Sequence, residues 1–234
     1  MSRNHHFSES LFLECLLVIP AWNESASIQA VVDSIKAKYP LDVLVVDDGS
    51  SDNTGGLAEK AGADVVRLAM NMGAWTATQT GFRYALSKGY KIAVTMDADG
   101  QHFAESIPLL IQHLNDFGAD VVIGSNPERA SKNRQLSWAF FRWLTSIDLQ
   151  DFTSGMKAYN RQAMKLLLSS RAHLFDYQDL GALLLMRRAG LTIRETPVPM
   201  QKRLHGHSRI FSNWWRVLRY MTLSTVLCIS KYRH

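Results

Sequence analysis

Three groups of acidic and polar residues in this 234-residue chain each follow a short apolar run. They are Pro-Ala-Trp-Asn-Glu at residues 20–24, Asp-Asp-Gly-Ser-Ser-Asp at residues 47–52 and Asp-Ala-Asp-Gly-Gln-His at residues 97–102. Open α/β sheets bind ligands outside the carboxyl ends of their strands, where these groups would meet if the runs form one parallel sheet. Acids gathered at one edge repel one another and need a cation or hydrogen-bond donors. The spacing therefore predicts a polar site at the sheet edge, although Asp-Gly sequences are also common in turns.

The third group has a pattern suited to a metal ion. Asp97, Asp99 and Gln101 alternate in the sequence, so an extended segment would point all three oxygen-bearing side chains to one side. Hard oxygen ligands of this kind suit Mg²⁺ or Mn²⁺, and these ions also bridge diphosphates. We therefore predict a divalent cation at these three residues.

The elements that must position these groups alternate along residues 13–124. Apolar runs predict strands at residues 13–19, 43–46, 65–68, 92–96 and 121–123, and helical periodicity predicts helices at 25–38, 73–88 and 106–117. This order predicts an α/β fold with a mostly parallel sheet and helices on both faces. The chain is 47% hydrophobic, which is enough for a large core, and its two cysteines exclude a disulfide scaffold.

Basic residues are concentrated towards the C-terminal end. Residues 202–234 contain seven Lys and Arg and no Asp or Glu, so subtracting seven from the formal net charge of +5 leaves −2 for residues 1–201. Such a segment favours an anionic partner such as a phosphate, a nucleic acid or a membrane surface, unless it forms a solvated face. No readout motif supports a nucleic-acid partner, and we predict none.

Several motifs occur in the order typical of one enzyme family. Four of them are Pro20-x-x-Asn23-Glu24, Asp47-Asp48-Gly49-Ser50-x-Asp52-x-Thr54, Asn71-x-Gly73 and Asp97-Ala98-Asp99-Gly100-Gln101-His102. Together they resemble the family-2 inverting glycosyltransferases, which implies a fold of the glycosyltransferase-A type. Two later motifs are similar to those of the dolichol- or polyprenyl-phosphate sugar synthase branch: Thr153-Ser154-Gly155-Met156-Lys157-Ala158-Tyr159 and Arg203-x-x-Gly206-x-Ser208-Arg209. We call the last of these, residues 203–209, the basic motif.

The resemblance implies a role for each matching residue. The pocket for the base and ribose of a GDP- or UDP-linked sugar would be lined by Pro20, Asn23, Glu24 and Asp48. Asp99 would be the main metal ligand, and Asp97, which also belongs to the nucleotide site, and Gln101 would complete the set for Mg²⁺ or Mn²⁺. Phosphates of the donor or of a lipid acceptor would be held by Arg203, Ser208 and Arg209, since a guanidinium matches phosphate oxygens in a bidentate manner.

The chain also departs from the branch. Asn126 and Lys157 stand where Arg is usual, and Arg209 stands where Lys is usual. The Gln-x-x-Arg-Trp signature of processive polysaccharide synthases is absent from the sequence, which favours transfer of one sugar per encounter.

The implied reaction is metal-dependent, inverting transfer of one sugar to a polyprenyl (dolichyl) phosphate, with Asp99, Asp179 and Arg203 as catalytic residues. One alternative is the same donor chemistry on a saccharide or other hydroxyl, with Asp179 as the general base. An ionised phosphate needs no such base, and Asp179 could instead be a helix-start carboxylate favoured by the helix dipole. A second alternative is a non-catalytic sugar-nucleotide-binding protein that acts as a membrane adaptor. No Gly-x-Gly-x-x-Gly follows the first strand, which disfavours a dinucleotide oxidoreductase.

We expect residues 1–210 to form the catalytic domain, with a nucleotide-sugar half to about residue 123 and an acceptor half after it. Residues 211–234 are predicted to form an amphipathic helix with Trp214 and Trp215 on its apolar stripe. The longest uncharged run there, residues 220–230, is far shorter than the ~20 apolar residues that span a bilayer. Residues 1–10 lack the apolar core of a signal peptide. We therefore expect a cytoplasmic protein associated peripherally with the inner face of a membrane.

Overall fold

A computed structural model describes residues 9–129, 135, 138–139, 142, 149–151, 154–172 and 178–201. Its strands are β1 (Cys15–Ala21), β2 (Asp42–Asp47), β3 (Asp64–Arg67), β4 (Ile92–Thr95), β5 (Val121–Ser125), β6 (Lys157–Asn160) and β7 (Ile193–Pro197). Its helices of four or more residues are α1 (Glu9–Leu13), α2 (Ile28–Lys36), α3 (Thr54–Lys60), α4 (Ala74–Lys88), α5 (Ser106–Asp116), α6 (Arg161–Leu167) and α7 (Gln178–Arg188). Short 3₁₀ turns lie at Pro127–Arg129 and Ser170–Ala172.

The seven strands form one sheet in the order β3-β2-β1-β4-β6-β5-β7. The pairs β1–β2, β1–β4, β2–β3 and β5–β7 are parallel. Strand β6 lies between β4 and β5 and is antiparallel to both. The predicted α/β fold with a mostly parallel sheet is therefore confirmed.

Helices cover both faces of the sheet, because the inner strands carry apolar side chains on each side. On one face, Leu17 and Ile19 of β1 belong to a core with the buried residues of α2 and α5. On the other face, Leu16 and Val18 belong to a second core with buried residues of α4, α6 and α7. Cys15 is fully buried in the first core, and burial raises the pKa of its thiol, which makes it an inert core side chain.

Most boundaries differ from the prediction by one to three residues, and Leu13, predicted in the first strand, ends helix α1 instead; two of the differences have a clear local cause. Strand β1 runs through Pro20 to Ala21, whereas the prediction ended it at residue 19. Its pairing with β4 stops at Val18, so Pro20 has a strand neighbour on the β2 side only, and a proline is tolerated there. Helix α2 begins at Ile28 rather than at residue 25, because the N–H groups of Ser27 and Ile28 both donate to the carbonyl oxygen of Glu24 in a tight turn.

The predicted helix within residues 211–234 lies outside the described residues. The division into two halves at about residue 123 stays a prediction. In the part of the chain that the structure describes, no helix combines the length and apolar character needed to cross a membrane.

Candidate active site

Asn23 joins the loops that follow β1 and β2. Its backbone N–H donates to Ser50 Oγ over 2.9 Å, and its side-chain Oδ1 accepts from the N–H of Ser51 over 2.8 Å. Asn23 has a φ of +54°, a left-handed conformation that asparagine adopts more readily than most residues. The predicted nucleotide-pocket residue Asn23 thus holds two loops together at the carboxyl edge of the sheet.

Asp52 and Thr54 connect the same two loops a second time. The N–H of Glu24 donates to Thr54 Oγ1 over 2.9 Å, and the N–H of Ser25 donates to Asp52 Oδ2 over 3.2 Å. The Asp52 carboxylate also accepts from the N–H and the hydroxyl of Thr54. Burial raises the pKa of Asp52, but the hydrogen bonds from Thr54 and Ser25 outweigh it and leave that pKa below its usual value.

The carboxylate of Asp48 fixes the loop that follows β3. Asp48 is buried, and its Oδ1 and Oδ2 accept from the N–H groups of Met72 and Gly73 over 2.7 Å and 2.8 Å. The neighbouring Gly49 has a φ of +68°, and a Cβ built on it would lie 2.5 Å from the carbonyl carbon of Met70. Only glycine fits here, because the loop after β3 lies directly against the loop after β2.

The acidic loop, residues 97–102, lies at the same edge directly after β4. Asp99 is buried, and its Oδ1 accepts from the N–H of Gln101 over 3.0 Å. The Asp97 side chain is half exposed, and its Oδ2 lies 3.5 Å from Nε2 of the buried His102. Nδ1 of His102 has no hydrogen-bond partner among the described residues.

The extended conformation predicted for this loop is wrong. Residues 98–99 form a turn, and Gly100 has a φ of +73°. The short hydrogen-bonded ring closed by the Asp99 carboxylate and the Gln101 N–H favours this turn over an extended strand. Simple alternation therefore does not set the directions of the three side chains.

The donor chemistry of the acidic loop still fits a hard divalent cation. Two carboxylates and an amide within five residues supply oxygen ligands, which Mg²⁺ and Mn²⁺ prefer. Across the described ranges, no group of three or more His, Cys, Asp or Glu side chains is arranged to hold a metal ion. A cation held at this loop would take fewer than three of these side chains as ligands, as is usual for a Mg²⁺ that is also bound by substrate phosphates.

The chain after β7 crosses to the acidic loop. The N–H of Val198 donates to the carbonyl oxygen of Ser125, and Met200 forms an antiparallel bridge with His102. Gln201 donates twice to this loop, from its N–H to the carbonyl of Gln101 over 2.9 Å and from Nε2 to the carbonyl of Gly100 over 2.7 Å. Gln201 belongs to no motif of the sequence analysis, and nothing in its sequence context signals this contact.

Three further predicted site residues, Pro20, Glu24 and Asp179, lie in the described part of the chain. Pro20 is half-buried in β1, and Glu24 accepts at Oε2 from Ser27 Oγ over 3.3 Å. Asp179 is the second residue of α7, whose apolar residues pack on the same core as Phe82 of α4, and its side chain lies outside the description. The basic-motif residues Arg203, Ser208 and Arg209 also lie outside the described residues.

The sheet is mostly parallel, and three hydrogen-bonded polar loops and an acidic loop lie at one of its edges. This arrangement matches the family indicated by the sequence motifs. The profile described as Glycosyl transferase family 2 matches residues 16–169. The chain belongs to this family and is therefore a glycosyltransferase.

Three proteins of known activity are similar in sequence to most of this chain. The chain is 31% identical over 219 residues to the polyprenol monophosphomannose synthase of Mycolicibacterium smegmatis, covering 83% of this chain and 80% of that protein. It is 30% identical over 218 residues to the undecaprenyl-phosphate mannosyltransferase of Micrococcus luteus, covering 85% and 88%. It is also 30% identical over 210 residues to the UDP-N-acetylglucosamine–dolichyl-phosphate N-acetylglucosaminyltransferase of Methanococcus voltae, covering 78% and 83%.

Solved structures agree on the fold. The glucosyl-3-phosphoglycerate synthase of Mycobacterium tuberculosis, crystallised with phosphoglyceric acid, superimposes with a TM-score of 0.73 at 19% identity, covering 98% of this chain and 86% of that chain. The fold of the glycosyltransferase-A type implied by the sequence motifs is thereby confirmed.

The position of Asp48 yields a prediction about stability without any ligand. Asp48→Ala leaves the N–H groups of Met72 and Gly73 without their carboxylate acceptor, which should lower the free energy of unfolding by about 3 kcal/mol. Asp48→Asn retains one acceptor oxygen and should lower the free energy of unfolding by a smaller amount. Urea unfolding monitored by circular dichroism measures both, with the exposed Asp33→Asn as the control. An unchanged free energy of unfolding in Asp48→Ala would contradict this role.

Proposed function

We propose that this enzyme transfers one sugar from a nucleotide-sugar donor to a polyprenyl phosphate, with inversion at the anomeric carbon. The observation that carries the proposal is the pair of hydrogen bonds from Gln201 to the backbone of the acidic loop. They tie the chain segment that precedes the basic motif to the loop that bears Asp97 and Asp99. Relatives about 30% identical to most of this chain are named for transfer to polyprenol, undecaprenyl or dolichyl phosphate, which supports this acceptor class.

The nucleotide would bind at the loops after β1, β2 and β3. Pro20 and Glu24 would line the pocket for the base and ribose. Asn23 and Asp48 would act chiefly by shaping that pocket, because their side chains already accept hydrogen bonds from loop backbone.

Asp99, Asp97 and Gln101 would hold Mg²⁺ or Mn²⁺ together with the donor diphosphate. Once bound, the cation supplies charge neutralisation for the diphosphate leaving group. Crystals of the fold neighbour glucosyl-3-phosphoglycerate synthase contained Mn²⁺ with UDP-glucose, which supports the use of a divalent cation. Burial of Asp99 and its hydrogen bond from Gln101 would keep its carboxylate in one orientation.

In the reaction, an oxygen of the acceptor phosphate forms a bond to the anomeric carbon of the sugar. The bond from that carbon to the donor diphosphate breaks, and the nucleoside diphosphate leaves with the electron pair. Arg203, Ser208 and Arg209 would hold the acceptor phosphate, with the two guanidinium groups donating in a bidentate manner. Because the phosphate is ionised near neutral pH, no proton has to be removed, and Asp179 would contribute to acceptor positioning.

The acceptor also suggests where the enzyme works. A polyprenyl phosphate exposes its phosphate at the membrane surface, and residues 202–234 carry seven basic residues and the Trp214–Trp215 pair. Tryptophan rings suit the headgroup boundary, where arginines reach lipid phosphates. We therefore propose that the enzyme acts in the cytoplasm, bound peripherally to the inner face of the membrane.

The metal role predicts a large loss of activity in Asp99→Asn, which removes charge while retaining the shape of the side chain. The uncompensated diphosphate should slow transfer about 10²–10³-fold, a cost of several kcal/mol in the transition state. Sugar transfer is measured with EDTA and after addition of Mg²⁺ or Mn²⁺, with the exposed Asp116→Asn as a matched control. Undiminished transfer in EDTA, or by Asp99→Asn, would exclude the metal role.

The acceptor class can be tested with radiolabelled donors. With polyprenyl phosphate, label should enter the organic phase, and polyprenol without its phosphate should yield no product. Asp179→Asn should then lower kcat less than tenfold and affect the KM for the acceptor. If the acceptor is instead a hydroxyl, the label stays in water-soluble products, and Asp179→Asn lowers kcat by about 10²–10⁴-fold, the usual contribution of a general base.

Membrane association can be tested by liposome flotation. Wild-type protein should float with anionic vesicles at low salt, because basic residues near such a surface contribute about 1 kcal/mol each. Trp214→Ser/Trp215→Ser should float less, with neutral vesicles as the comparison for the charge contribution. Wild-type protein that remains with the soluble fraction on anionic vesicles would refute the association.

A further inference from the structure

Gly155 faces the acidic loop because of the register between β4 and β6. These strands are antiparallel, and Thr95 pairs with Lys157 at their last shared position. The same register continued by two residues brings Asp97 opposite Gly155. Directly opposite residues of an antiparallel pair project to the same face with Cβ atoms about 4.5–5.5 Å apart. A side chain at position 155 would therefore point towards the same space as the carboxylate of Asp97.

The structure shows that the Asp97 carboxylate already fills this space. An ideal Cβ on Gly155 would lie 2.2 Å from Oδ2 of Asp97 and 2.3 Å from both Cγ and Oδ1. Such distances are far shorter than van der Waals contact, so one of the two groups would have to move. His102 Nε2, 3.5 Å from Asp97 Oδ2, is a second neighbour of this carboxylate.

The backbone at Gly155 is held by neighbouring elements. Its carbonyl oxygen accepts from Thr95 Oγ1 over 2.9 Å, and the carbonyl oxygen of Met156 accepts from the N–H of Gly124 over 2.9 Å. The φ of Gly155 is not in the left-handed region, so backbone conformation does not require a glycine here. A glycine is required at position 155 because the Asp97 carboxylate occupies the space that a side chain would take.

We propose that Gly155 is a positioning residue for Asp97. Because Gly155 has no side chain, the Asp97 carboxylate can lie against the backbone just before β6, in the orientation in which it would bind the cation. The role of Asp97 as a cation ligand rests on the proposed function. The contact between Gly155 and Asp97 rests only on the close approach of the two residues. It links the second half of the chain to the donor site, because residue 155 acts on a ligand that the first half supplies.

The test is a double-mutant cycle between Gly155→Ala and Asp97→Ala. In the wild-type background, Gly155→Ala should weaken Mn²⁺ binding in the presence of nucleoside diphosphate by about 10–100-fold, as loss of a supporting contact to a metal ligand does. In the Asp97→Ala background, which removes the carboxylate, the same change should have no further effect. Binding is measured by calorimetry without acceptor lipid.

Unfolding measurements on the same four proteins test the contact independently of any ligand. Gly155→Ala should lower the urea midpoint in the wild-type background and not in Asp97→Ala, where the added methyl group fits. Gly124→Ala is the matched control, because its Cβ would approach Val198 Cγ2 at 3.0 Å and should act equally in both backgrounds.

Two outcomes would overturn different claims. Equal effects of Gly155→Ala in both backgrounds, on binding and on unfolding, would refute the positioning role. A wild-type protein that binds no Mn²⁺ with any nucleoside diphosphate, while the unfolding cycle still shows coupling, would refute the proposed metal-dependent function and leave only a steric contact.

Discussion

The reversal of β6 is the constraint on which the candidate site depends. Parallel strands all end at the same edge of the sheet, so a chain that continued in the parallel sense would start its next strand at the opposite edge. Strand β6 instead enters between β4 and β5 from the carboxyl edge, and residues 154–156 therefore lie beside the acidic loop. Segments far apart in the sequence are thus brought to one place by a single antiparallel strand.

The second half approaches the acidic loop again after β7. This strand is parallel to β5, so its carboxyl end is at the site edge, and Gln201 reaches the acidic loop directly from it. The acidic loop is therefore bounded by β6 on one side and held by the residues after β7. Its surroundings therefore include residues 154–156 and 200–201 as well as β4, which carries it.

The sequence predicted β1, β2, β4 and β5 and the long helices well, because continuous apolar runs and helical periodicity report burial directly. It missed α3, in which Gly55 and Gly56 lower helix propensity and the turn at Asp52–Thr54 compensates. It also missed β6 and β7, whose sequences, Lys-Ala-Tyr-Asn and Ile-Arg-Glu-Thr-Pro, are too short or too polar to stand out. The sequence did not decide between a turn and an extended segment at Asp99, because its carboxylate serves equally well as a turn acceptor and as a metal ligand.

The hydrogen bonds of Asn23, Asp48 and Thr54 have a consequence for comparing relatives of this protein. Each of these side chains accepts from loop backbone, so a descendant that had lost all turnover would still need them to fold its loops. Selection for folding alone would preserve such residues in a pseudoenzyme. The Asp97 side chain is half exposed, so folding places a weaker constraint on it than on the buried Asp48. Position 97 is therefore the more informative place to look for inactive members of the lineage.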